Sequence, residues 1–125
     1  MLGYLYTLSG VVVAGNRMGR TIGFPTANMQ LYEPLKLIPG NGVYAVEVEV
    51  PGGVYRGMCN IGVRPTVGAN NGLTIETNIF DFDEDIYGLD IRIAFRRRIR
   101  AEQRFASLEE LKDQLQKDRL ASLQV

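Results

Sequence analysis

Histidine is missing from this chain of 125 residues. A Ser-His triad and a His-ligated metal are therefore excluded, and any general base must be a carboxylate, lysine, tyrosine or thiol. Cysteine occurs once, at Cys59, so no internal disulfide can form. That fits a reducing compartment. Neither sign of charge is in excess, because 14 Lys and Arg balance 14 Asp and Glu. Nucleic-acid and membrane-surface binders usually carry a basic excess, so no nucleic acid and no membrane are expected as partners, although a local basic patch is still allowed. No apolar run is long enough to span a bilayer. The opening "MLGYLYTLSG" lacks the positive leader of a signal peptide. A soluble cytoplasmic protein is expected, with 46% hydrophobic residues and a length near that of one domain.

What is present is mostly β-prone. "LYTLSGVVVA" at 5–14 is apolar and β-branched and reads as a strand. "VYAVEVEV" at 43–50 alternates, with Tyr44, Val46, Val48 and Val50 on one face and Glu47 and Glu49 on the other. "PGG" at 51–53 is a turn, and "VYRGMCNIG" returns as the next strand. "TIETNIF" at 74–80 is β-prone. "LDIRIAF" at 89–95 puts Leu89, Ile91, Ile93 and Phe95 on one face. One helix is expected at 107–121. "SLEE" is a capping box with Ser107 as N-cap, and Leu108, Leu111 and Leu115 form a stripe behind it. About five short sequential strands and a terminal helix point to an antiparallel barrel or sandwich with the helix outside. Residues 15–42 show no period, and "GVRPTVGANNG" at 62–72 is also irregular. Connections that long are usually functional or disordered.

The first of these segments holds "GNRMGRTIGFPTAN", residues 15–28. Glycine lets backbone come close to a ligand, and successive N–H groups make an anion-binding concavity. Arg17 and Arg20 add positive charge. The spacing matches neither the Walker A loop nor the Rossmann fingerprint, and an ordinary glycine-rich loop accounts for the same residues. Pro25 pushes Phe24 toward extended geometry. If the chain stays extended, Thr26 and Asn28 point to one side and offer two oxygens suited to Mg²⁺ beside phosphate. A turn after proline is the plainer account. Glu76 sits among β-branched residues, where glutamate is disfavoured. Facing inward it would be desolvated and suited to accept a proton; facing outward it would be ordinary. "DFDED" at 81–85 is a rival acidic cluster in a turn. "FRRRIRAEQRF" at 95–105 carries Arg96, Arg97, Arg98, Arg100 and Arg104, read either as a nucleic-acid patch or as a solvated edge. Arg100 and Phe105 lie just before the helix, where they could line a pocket or simply pack. Cys59 reads only as a small apolar strand residue.

Taken in order, "GRTIGFPTAN", "NIGVRPT", "IETNIFDFDEDIYG" and "IRAEQRFASLEEL" resemble the riboflavin kinases, most closely the C-terminal riboflavin kinase module of bacterial bifunctional riboflavin kinase/FAD synthetases. The resemblance runs over about residues 5–118. It implies one domain over 1–125, with 1–4 a residual linker or tail. It also implies a mainly β fold, a six-stranded antiparallel Greek-key β-barrel with a C-terminal α-helix. The implied reaction moves the ATP γ-phosphate to the ribityl 5′-hydroxyl of riboflavin, giving FMN and ADP. Carried over residue by residue, Gly15 and Arg20 fall in the ATP-phosphate loop. Thr26 and Asn28 fall on the Mg²⁺ and phosphate ligands of the Pro-Thr-Ala-Asn motif. Glu76 falls on the catalytic base. Ile79, Asp81 and Tyr87 fall at nucleotide contacts, and Arg100 and Phe105 in the region approaching the flavin. Where many members read Glu-Thr-His, this chain has Glu76-Thr77-Asn78; asparagine still donates and accepts hydrogen bonds but cannot carry a proton charge. The adenylyltransferase half is not in this sequence, so no FAD synthesis is expected from it, and the chain is either an excised module or a single-function protein. Two other readings are a non-catalytic flavin or nucleotide-binding module and a small barrel binding single-stranded nucleic acid through Arg96 to Arg100.

Overall fold

Alternating side chains build six strands: β1 (Tyr6–Asn16), β2 (Thr26–Leu31), β3 (Gly42–Val50), β4 (Gly53–Val63), β5 (Leu73–Ile79) and β6 (Asp90–Arg100). Among the described residues one helix, α1 (Leu108–Leu123), follows. The structure is a computed structural model and describes residues 6–16, 26–32, 40–63, 73–82 and 86–125. Most of the glycine-rich segment, including Arg17 and Arg20, and the 64–72 stretch lie outside the described residues.

The strands close into an antiparallel barrel in the order β1-β2-β5-β4-β3-β6. β3, β4 and β5 form a meander, and β6 returns to lie beside β3, which is the Greek-key order. Closure removes exposed sheet edges. The strand β2 was not expected from periodicity, since it falls inside the segment read as irregular. It nonetheless alternates, with Met29 and Leu31 buried in the barrel and Asn28 and Gln30 on the other face. With six residues after an irregular run, its alternation is too short to stand out.

The interior is filled by the inward set of each strand, including Leu8, Val46, Val48, Ile61, Ile93 and Phe95. Tyr44 packs edge-on against Phe95 with ring centroids 5.3 Å apart, and its hydroxyl donates to the Gly40 carbonyl at 2.7 Å. Leu89, expected on the inner face of β6, is exposed; Ile91, Ile93 and Phe95 keep that face. The strand itself starts only at Asp90, after a turn closed by the Leu89 N–H on the Ile86 carbonyl.

Helix α1 packs outside, over a second cluster of Val43, Met58 and Phe80 that Ile99 and Leu115 complete. Ser107 caps it as expected, accepting from the Glu110 N–H at 3.2 Å. Glu110 in turn accepts from the Ala106 N–H, one residue before the reciprocal partner of an ideal capping box. The expected leucine stripe is corrected in part. Leu108 is exposed, and the docked face continues from Leu115 into the buried Asp118 and Ser122. The reason is what lies opposite. Arg100 of β6 binds Asp118, while Arg56 of β4 donates to the Ser122 and Val125 carbonyls. The last turn has no basic residue of its own, so Arg56 supplies the positive charge that the helix C-terminus favours.

Candidate active site

Register decides what shares a face. Asn28 of β2 pairs with Glu76 of β5, and Glu76 pairs with Asn60 of β4. Directly opposed residues point the same way, so Asn28, Glu76 and Asn60 form one polar row across three strands. The row lies on the outside of the barrel, because Ile75 and Thr77 on either side of Glu76 are buried opposite Ile61 and Cys59 of the interior. An inward-facing Glu76 is therefore not found. It is half-buried on the outer face, screened without being enclosed in the core. The Oδ1 atoms of Asn28 and Asn60 are both buried and, among the described residues, have no hydrogen-bond partner. A buried acceptor left unpaired costs roughly 1–3 kcal/mol, so two of them flanking a carboxylate make this row the candidate binding place.

The antiparallel order also sorts the remaining candidates by barrel end. The C-terminal ends of β1 and β5 and the N-terminal ends of β2 and β6 share one end. Gly15 pairs with Ala27, and Thr26 starts β2 opposite Asn16. Ile79 ends β5, half-buried against the core, and Asp81 follows it in a left-handed turn conformation with φ 56°. Tyr87 is exposed in the turn before β6, where the neighbouring Gly88 N–H donates to the Val12 carbonyl at 2.8 Å. So Gly15, Thr26, Ile79, Asp81 and Tyr87 are gathered at one end, with Asn28 and Glu76 below them. Arg20 lies outside the described residues.

Arg100 ends β6 at the opposite end. Its Nε donates to both Asp118 oxygens at 2.9 and 3.0 Å and an Nη to Oδ2 at 2.8 Å, while Gln114 adds a further bond to Oδ1. The other Nη donates to the Ala101 carbonyl. The guanidinium is thus committed to the protein, and it lies 5.6 Å from the centre of the half-buried Phe105 ring. Of the other arginines read as a patch, Arg96 pairs with Glu47 and Arg98 holds the Asn41 carbonyl.

Two residues near the row carried no role in the sequence reading. Asn60 was part of a motif, but only the register puts it beside Glu76. Glu102 reaches the same face: a Cβ on Gly62 would lie 2.5 Å from its Oε2 and 3.1 Å from the Thr74 hydroxyl. Gly62 pairs with Thr74, one row beyond Asn60 and Glu76. The Glu102 carboxylate therefore reaches over β4 into space that the missing side chain of Gly62 leaves open. Cys59, buried on the inner face beside these strands, has its thiol pushed up to about 12, chiefly by burial.

The chain matches the riboflavin kinase profile over residues 2–125. It belongs to the riboflavin kinase family. The bifunctional riboflavin kinase/FMN adenylyltransferase of Bacillus subtilis is 46% identical over 95% of this chain, and that of Escherichia coli K12 is 47% identical over 98%. The chain spans 38% of the length of each of these relatives. Riboflavin kinase from Trypanosoma brucei has a TM-score of 0.62 at 28% identity, over 94% of this chain and 77% of that one. A Streptococcus pneumoniae structure described as a macrolide-efflux protein has a TM-score of 0.82 at 41% identity, over 93% of this chain and 38% of that one. Among the described residues of this family member, no helix is long and apolar enough to cross a membrane.

Proposed function

We propose that this chain transfers the γ-phosphate of ATP to the ribityl 5′-hydroxyl of riboflavin, giving FMN and ADP. Family membership sets the reaction class, and the Asn28–Glu76–Asn60 row is the observation that carries the site assignment. Glu76 orients the hydroxyl and takes its proton as the new O–P bond forms and the bond from the γ-phosphorus to the ADP oxygen breaks. Because the transition state of such transfers is loose, positioning and charge neutralisation do most of the work.

Thr26 and Asn28 are the residues that would hold Mg²⁺. The fit rests on chemistry visible in the chain. Mg²⁺ takes hard oxygen ligands and uses few protein groups when phosphate is present, and the Asn28 Oδ1 is a buried oxygen without a partner. Thr26 stands two residues earlier at the start of β2. When bound, the ion neutralises charge on the transferred phosphoryl group. Gly15 and Arg20 belong with the phosphates, and Ile79, Asp81 and Tyr87 with the rest of the nucleotide. Phe105 and Arg100 form the flavin end; bonds through Nε and both Nη atoms fix the guanidinium's orientation beside the ring. The Bacillus subtilis relative is named as a bifunctional riboflavin kinase/FMN adenylyltransferase, and a covalently linked adenylyltransferase part is the partner this reading proposes. The free, buried Cys59 suits a cytoplasmic setting.

The test is incubation with riboflavin, ATP and Mg²⁺, with flavins separated by chromatography and read by fluorescence. FMN without FAD is expected. A folded protein that binds riboflavin and yields no FMN would replace this reading with a non-catalytic binding module.

A further inference from the structure

The geometry points to Asn60 as a substrate-contacting residue that receives the polyol chain of the acceptor beside Glu76. It rests on the kinase reading of the site and adds a group to which that reading gives no role.

Three observations converge on it. First, Asn60 is the direct cross-strand neighbour of Glu76 on the side away from Asn28. The phosphate and Mg²⁺ candidates Gly15, Thr26 and Asn28 lie on β1 and β2. In phosphoryl transfer the attacking and leaving oxygens are roughly in line, so the acceptor reaches Glu76 from the side opposite the nucleotide, which is the β4 side. Second, the row continues through Val43 of β3 to Arg100 of β6, placing Asn60 between Glu76 and the flavin end. At about 4.8 Å per strand, Glu76 and Arg100 are ~14 Å apart along the sheet, and Glu102 over Gly62 shows that the 101–105 segment approaches this same face. Third, the Asn60 Oδ1 is buried and unpaired. It needs a donor, and a chain of hydroxyls supplies donors spaced along its length.

The test compares Asn60→Ala with the wild type using riboflavin, lumichrome (a flavin-like ring without the ribityl chain) and Mg-ATP. Losing a hydrogen bond that leaves its partner unpaired costs about 1–3 kcal/mol, or roughly 5- to 150-fold. Riboflavin Kd and KM should rise within that range, with lumichrome affinity and ATP KM each within about twofold. Asn60→Ser keeps an acceptor oxygen in a smaller side chain, guards against misfolding of the first variant, and should recover part of the loss. Unchanged riboflavin affinity in Asn60→Ala would overturn the assignment. So would equal weakening of riboflavin and lumichrome, which would mean general damage to the flavin end. A wild-type chain that makes no FMN removes the kinase reading itself, whereas a wild type that makes FMN and an indistinguishable Asn60→Ala removes only Asn60.

Discussion

Asp118→Asn keeps the shape of a buried side chain and removes its charge. Asp118 is 1% exposed and accepts three hydrogen bonds from an Arg100 side chain that is 17% exposed. Breaking a buried pair by removing one partner costs roughly 3–5 kcal/mol. Because Arg100 keeps some solvent and its bond to the Ala101 carbonyl, the lower end applies, about 3 kcal/mol. With an unfolding entropy of about 2.1 cal/mol/K per residue, that lowers the Tm of a 125-residue domain by ~11 °C. Thermal melts by circular dichroism and urea unfolding at constant m-value would measure it. The double variant Arg100→Met/Asp118→Leu should recover most of the loss, since apolar replacement of a whole buried pair is often neutral or stabilising. Well below its Tm, Asp118→Asn should also raise riboflavin KM more than ATP KM, because Arg100 is set against Phe105. A Tm shift under about 2 °C would refute the reasoning, because the pair would then hold the helix no better than an exposed one, worth ~0–1 kcal/mol.

Glu76→Gln should lower FMN turnover by roughly 10²–10⁴-fold while riboflavin binding by fluorescence quenching persists; wild-type turnover would remove the base assignment. Cys59 should resist thiol reagents in the native state at pH 8 and react on unfolding. Its folded value near 12 exceeds the ordinary 9.0, so the unfolded chain loses the proton first as pH rises. Stability is therefore full below pH 9 and falls from there toward pH 12. Over that window Cys59→Ala should lose Tm less steeply than the wild type, and parallel slopes would count against it. Gly57→Ala would put a Cβ 2.6 Å from the Asn78 backbone carbonyl across β4 and β5. Overpacking of this kind costs about 1–3 kcal/mol, so an unchanged denaturation midpoint would contradict the close approach.

Much of this was legible from residue order. Val46, Val48, Ile91, Ile93 and Phe95 alternate strongly enough to name the core of β3 and β6, and Ser107 with Glu110 marks the start of the helix because capping is a local interaction. The absence of histidine left Glu76 as a leading base, and four ordered motifs pointed to the family. Other features are not local. Periodicity can say that Glu76 and Asn60 face away from Ile75 and Ile61, but not that they face each other; pairing register makes them neighbours, and the closed barrel sets the register. The turn of α1 toward Asp118 rather than Leu108 depended on Arg100, 18 residues upstream, on a strand that only the fold brings beneath the helix. The sequence by itself determined which residues alternate and cap, and it singled out Glu76 as a candidate base. Tertiary structure alone decided which of them share a face, because a strand's side chains have fixed directions but no partners until a neighbouring strand supplies them.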